Sequence, residues 1–233
     1  MIQARKPLIV AMAVGLAAAG AGAGAFASFS AETTNSNNVF ATGTLILSDT
    51  VGSGTTCFSY NGTNNSASCS ASDQQLVASA TLNKPGQTQY ADVTLTGAGT
   101  IDASALKIYG PAVCSDGNGT DTHVTGTGSL CGNVQWFVEE DTDNTFSTPV
   151  SSGCLYGHAN GNGCDFAGTY PLSTFFGSGA GGHVGSANAL TLPGTLASGT
   201  SRYFRVGFNL PASADNTFQN RTASFALTWH ADQ

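Results

Sequence analysis

A chain of 233 residues with a formal net charge of −7 and only 9% charged side chains has no basic surface to draw it to nucleic acid or to anionic lipid. Gly, Ser, Thr and Asn are abundant, and Val, Phe, Leu and Ala recur in short alternating runs. Such a composition points to a turn-rich β protein and away from a helical bundle.

Arg5 and Lys6 precede an uncharged apolar run over residues 8–29, with Ala25 and Ala27 on either side of Phe26. A basic start, an apolar middle and an A-x-A site make residues 1–27 a secretory signal peptide, cleaved between Ala27 and Ser28. The rival is an uncleaved membrane anchor, but the Ala- and Gly-rich second half of the run is too weakly apolar for a good span. After cleavage no membrane attachment is expected.

The freed arm, residues 28–38, alternates Phe29, Ala31 and Thr33 with Ser30, Glu32 and Thr34. This is a candidate donor strand: added to the open sheet edge of another copy, it gains backbone hydrogen bonds and places alternate side chains in pockets. Residues 35–38, Asn-Ser-Asn-Asn, form the hinge. The alternatives are an edge strand of its own domain or a disordered terminus.

Residues 39–233 are expected to form one β domain. Period-two alternation marks strands at 40–48, 75–82, 89–96, 105–109, 133–140, 201–210 and 221–231. Ala91, Val93 and Leu95 share a face, as do Val134, Trp136 and Val138, then Phe204, Val206, Phe208 and Leu210, and finally Ala223, Phe225, Leu227 and Trp229. Lys84-Pro85-Gly86, Gly110-Pro111, Leu192-Pro193-Gly194 and Leu210-Pro211 supply the turns. Seven strands without a long helical period imply an antiparallel β-sandwich. Residues 110–190, rich in Cys and Gly, are expected as a loop insertion, with one helical turn conceivable over 170–176.

Six cysteines in a chain bound for an oxidising compartment predict disulfides. Fifteen pairings are possible, and the short Gly- and Asn-rich intervals favour Cys57 with Cys69, Cys114 with Cys131, and Cys154 with Cys164. No C-x-x-C pair supports a zinc ribbon or thioredoxin-type site.

Residues 24–30, Gly-Ala-Phe-Ala-Ser-Phe-Ser, followed by residues 38–47, Asn-Val-Phe-Ala-Thr-Gly-Thr-Leu-Ile-Leu, resemble the entry segment of the TasA/camelysin family. The similarity resumes at residues 82–86, 90–100 and 215–233 and skips the middle. The resemblance implies a signal peptide of the SipW-dependent type, a jelly-roll-like domain and assembly into extracellular fibres of the biofilm matrix. Camelysin-like relatives are also described as surface metalloendopeptidases. The cysteine-rich insertion departs from the cysteine-poor fibre proteins of that family.

A zinc peptidase of the H-E-x-x-H type needs two His one helical turn apart beside a Glu, and this motif does not occur. His123, His158 and His183 lie in loop sequence and His230 on the polar side of the last strand, so all four are expected to be solvated. No nucleophile elbow or phosphate-binding loop is found, and no catalytic residue or resident cofactor is expected. Asp141, Asp143 and Asn144 offer oxygen ligands at the short spacing calcium needs, against the simpler role of a solvated acidic loop. The sequence thus predicts a secreted, self-associating structural protein whose partners are itself and other matrix or cell-surface components. A surface metalloendopeptidase and a monomeric adhesion or ligand-binding module are the alternatives.

Overall fold

A computed structural model describes residues 43–60, 63–64, 75–76, 82, 84–146, 149–161 and 163–233. The leader, the arm through residue 42, most of the expected strand at 75–82 and Cys69 lie outside the described residues. Residues 43–233 belong to one compact unit.

Among the described residues the largest sheet has seven strands: β1 (Leu47–Val51), β2 (Cys57–Tyr60), β3 (Thr63–Asn64), β4 (Thr88–Gly97), β7 (Gln135–Asp141), β8 (Pro149–Tyr156) and β12 (Ser201–Asn209). Their order is β3-β2-β1-β4-β12-β7-β8. A second layer holds β5 (Ala105–Tyr109), β11 (Leu190–Leu192) and β14 (Thr228–Asp232), ordered β11-β5-β14, and the pair β6 (Ser115–Asn118) with β13 (Arg221–Ser224). The short strands β9 (His158–Ala159) and β10 (Cys164–Asp165) form a separate hairpin. All pairings between these strands are antiparallel.

The expected alternation sets the core. Val93 and Leu95 from β4, Trp136 and Val138 from β7, and Phe204, Val206 and Phe208 from β12 are buried against Leu106 and Ile108 of β5 and Leu192 of β11. Each fully buried side chain of this kind contributes roughly 1.5–3 kcal/mol. At the turn into β4, Pro85 and Gly86 occupy the central positions, Gly86 at φ 79°, and the Gln87 N–H donates to the Lys84 carbonyl at 3.1 Å. Only a residue free to adopt positive φ suits that second position.

Residues 110–190 are more than a loop insertion. They provide β7 and β8 of the large sheet, and the short helix α2 (Leu172–Phe175) sends Leu172 and Phe175 into the core beside Phe176. Pro171 stands at the N-cap of α2. The expected strand 133–140 begins later, because residues 130–133 form the one-turn helix α1 (Leu130–Asn133). Ser129 caps it by accepting from the Gly132 N–H at 2.9 Å, while Asp116 accepts from Ser129 Oγ and the Cys131 N–H.

The last expected strand, 221–231, is split at residues 225–227. Its partner is itself broken: β5 and β6 are separated by Gly110-Pro111, and Gly110 is tied to His183 and Gly185. β13 therefore pairs with β6 and β14 with β5.

Cys114–Cys131 and Cys154–Cys164 are disulfides, two of the three short-interval pairings. Cys57 is also disulfide-bonded, while its expected partner Cys69 lies outside the described residues.

Around Trp136 the core is aromatic, with Phe175, Phe176 and Tyr156 rings 4.8, 4.9 and 5.0 Å away. Trp136 Nε1 and Tyr156 Oη are buried without a partner in hydrogen-bonding geometry. Burial pushes the Tyr156 phenol up from 10.0 to about 12, the nearby indole N–H opposing the rise and Tyr170 adding to it. Between these values the folded protein keeps a proton that the unfolded chain has lost, so stability falls as pH rises above 10. Ultraviolet titration should find one tyrosine ionising near 12, and Tyr156→Phe should reduce the alkaline fall in thermal midpoint.

Candidate functional site

β14 ends the second layer. Ala223, Phe225, Leu227, Trp229 and Ala231 keep one side and pack against the core, yet all remain half-buried. The Trp229 ring lies 4.8 Å from Phe204, and Phe225 lies 5.0 Å from Phe176 and 5.5 Å from Phe208. Among the described residues β14 pairs with β5 only, leaving its other backbone edge without a strand partner. On the opposite side, Asp232 binds Lys107 and His230, and the Lys107 ammonium holds its carboxyl below the usual range. At this end of the strand the Ser104 N–H donates to the Asp232 carbonyl, and three residues earlier in the chain the Ile101 N–H donates to the Thr44 carbonyl, next to the first described residue.

The outer face of the large sheet carries a second constellation. Asp92, Arg205 and Glu139 align across β4, β12 and β7. Arg205 is clamped on Asp92 by bonds of 2.7 and 3.0 Å. Its guanidinium lies 4.2 Å from the Phe146 ring centre and 5.2 Å from that of Tyr90. One row along, Tyr90 and Phe137 flank Gly207. A Cβ on Gly207 would meet the Phe137 ring at 2.5 Å, so the missing side chain is what lets that ring lie across the strand. Phe166 covers Phe137 at 4.9 Å. Burial pushes the Glu139 carboxyl up, opposed by the Cys164 N–H and by Arg205.

Asp141 and Asp143 are each engaged by the backbone and hydroxyl of a neighbouring threonine. Asp141 is buried, with Oδ1 accepting from the Thr142 N–H and Oγ, and Asp143 Oδ1 accepts from the Thr145 N–H and Oγ. Asn144 is exposed. Among the described residues no group of three or more His, Cys, Asp or Glu is placed to hold a metal ion.

The histidines are less uniform than their loop sequences suggest. His123 is exposed, whereas the half-buried His183 packs 4.6 Å from Phe175 and bonds the Asn188 carbonyl through Nδ1. Asp165 lies 2.7 Å from His158 Nδ1, across the β9–β10 hairpin. A cavity of about 460 Å³ opens among residues 177–182, bordered by Val184 and Asn188, with no titratable side chain in its wall.

The cleavage pair Ala27 and Ser28 and the donor residues Phe29, Ala31 and Thr33 lie outside the described residues. Missed by sequence reasoning was the outer aromatic group; its one local sign is Phe137, set between Trp136 and Val138 on the side opposite their inward row.

These features define an antiparallel all-β protein stapled by disulfides, with a strand edge that has no partner among the described residues in one layer and an aromatic outer face on the other. Disulfides fit an oxidising compartment, and among the described residues no helix is long and apolar enough to cross a membrane. No family model matches the chain, and no curated protein matches it.

Proposed function

We propose that the chain is a secreted, self-associating structural protein of the cell surface or biofilm matrix, of the kind its resemblance to the TasA/camelysin family implies. The arm of one copy, residues 28–34, adds as a strand to β14 of the next. The observation that carries this reading is β14 itself, whose outer edge has no strand partner among the described residues and whose half-buried Trp229 and Ala231 continue the row of Phe225 and Leu227 just before it. Added beside it, Phe29 and Ala31 gain cover from that row while the backbones pair. Repeated head to tail, the contact gives a filament.

The test separates donation between copies from folding back. Eight residues separate Thr34 from Gly43, the first described residue, and at roughly 3.3 Å per extended residue a connection of that length can serve an edge of the same copy or of a neighbour. Deleting residues 28–34 should abolish filaments in negative-stain micrographs and sedimentation while leaving the monomer's thermal midpoint unchanged. Phe29→Asp should do nearly the same, since burying a carboxylate among apolar side chains costs more than the lost aromatic contact. Persistence of filaments in both variants would exclude strand donation, and a collapse of monomer stability would assign the arm to its own sheet.

A further inference from the structure

We propose that the outer face of the seven-stranded sheet binds a neutral polysaccharide, with a pyranose ring stacked on Tyr90. The proposal is independent of strand donation, because this face belongs to the other layer from β14. Tyr90 is 55% exposed, one of two large hydrophobic residues so exposed among those described. Phe137 and Phe166 stand 6.2 and 6.5 Å away. The Arg205 guanidinium lies between Tyr90 and Phe146 and is itself fixed by Asp92.

Two observations indicate that the group is held in place for a purpose beyond packing. Phe146 has φ 53°, a conformation that bulky residues rarely adopt; such strain persists where surroundings enforce it and gathers at ligand clamps. Phe166 follows Asp165 and Cys164, so its position is secured by the Cys154–Cys164 disulfide and the Asp165–His158 contact. A platform held this way loses little freedom on binding.

The chemistry selects the ligand. A pyranose presents an apolar C–H face and a rim of hydroxyls, matched by an exposed aromatic ring flanked by Asp92, Glu139 and Arg205, which accept and donate hydrogen bonds. The carboxylates outnumber the single guanidinium and the whole chain is acidic, which disfavours a polyanion. One exposed ring is far short of the roughly 1,000 Å² that a stable protein interface buries, which disfavours a second copy. An added peptide strand has nothing to pair with here, since the backbone groups of β4, β12 and β7 are spent in their ladders.

The experiment measures depletion of the protein, recovered after expression of the full chain, onto cellulose, chitin and starch, with alginate as the anionic comparison. Retention is expected on at least one neutral polymer. Tyr90→Ala should weaken it about tenfold, and Tyr90→Trp should preserve it. Phe146→Gly should also weaken it while leaving the thermal midpoint equal or higher, because Gly relieves the positive φ; binding loss is thereby separated from misfolding. Retention on none of the neutral polymers, retention on alginate alone, or retention unaffected by Tyr90→Ala would overturn the proposal. Concentration-dependent self-association abolished by Tyr90→Ala would overturn it in favour of a second copy.

Discussion

Trp136→Ala is expected to lower the unfolding free energy by about 3–5 kcal/mol, the range for removing a large aromatic from a packed core. Trp136 is fully buried in β7 and joins three other elements, touching Tyr156 of β8, Phe175 of α2 and Phe208 of β12. Without it these rings would border a cavity that α2, one turn long and anchored by Leu172 and Phe175, can close only by losing its own packing. Trp136→Phe should cost much less: it keeps most of the apolar contact and removes an Nε1–H buried without a partner, whose desolvation costs roughly 1–3 kcal/mol. Denaturant midpoints for the two variants, at unchanged slope, are the measurement. Equal losses would mean that Nε1 is satisfied by an internal water, and a loss below about 1 kcal/mol for Ala would mean that the cluster is not the centre of the core.

How far the sequence could be read depended on where burial is one-sided. β4, β5 and β12 each have one buried face, so Val93 and Leu95, Leu106 and Ile108, and Phe204, Val206 and Phe208 signal their strands without help from the rest of the chain. β8 gives no such signal. Half of its residues are Gly, Ser or Cys, and its pairing with β7 is irregular between Val138 and Glu139 and between Glu139 and Asp141, so no period survives. The break at residues 225–227 was invisible for another reason: the apolar row runs through it, and only the bend at Gly110-Pro111 in the partner interrupts the ladder. Short-range disulfides were readable from spacing because loop closure is local. The outer aromatic group was not, since Tyr90, Phe146, Phe166 and Arg205 come from separate segments and meet only when β4, β12 and β7 align. Gly207, opposite the inward Val206 and Phe208, showed nothing in sequence of the ring that crosses it.

β12 carries two arginines whose removal should have very different consequences. Arg202 shares the inward side with Phe204 and reaches Glu140 by two bonds of 2.6 Å and the Pro193 carbonyl by one of 2.8 Å, both side chains of the pair being only about one-tenth exposed. Arg202→Met would strand a carboxylate in that setting, and a loss of about 3–5 kcal/mol is expected. Pairing it with Glu140→Leu should recover much of the loss, because a buried ion pair offsets its own desolvation more than it adds net stability, and Arg202 already leaves Nη1 without a partner. Arg205 points outward to Asp92, with the two side chains 25% and 38% exposed, so solvent and salt screen the pair; Arg205→Met should cost about 1 kcal/mol or less and lose even that at high ionic strength. Unfolding at low and high salt distinguishes the two sites. If the double variant at Arg202 and Glu140 is no more stable than Arg202→Met alone, the pair is not the source of the loss, and the Arg202 contacts with Phe204 and Pro193 would then have to account for it.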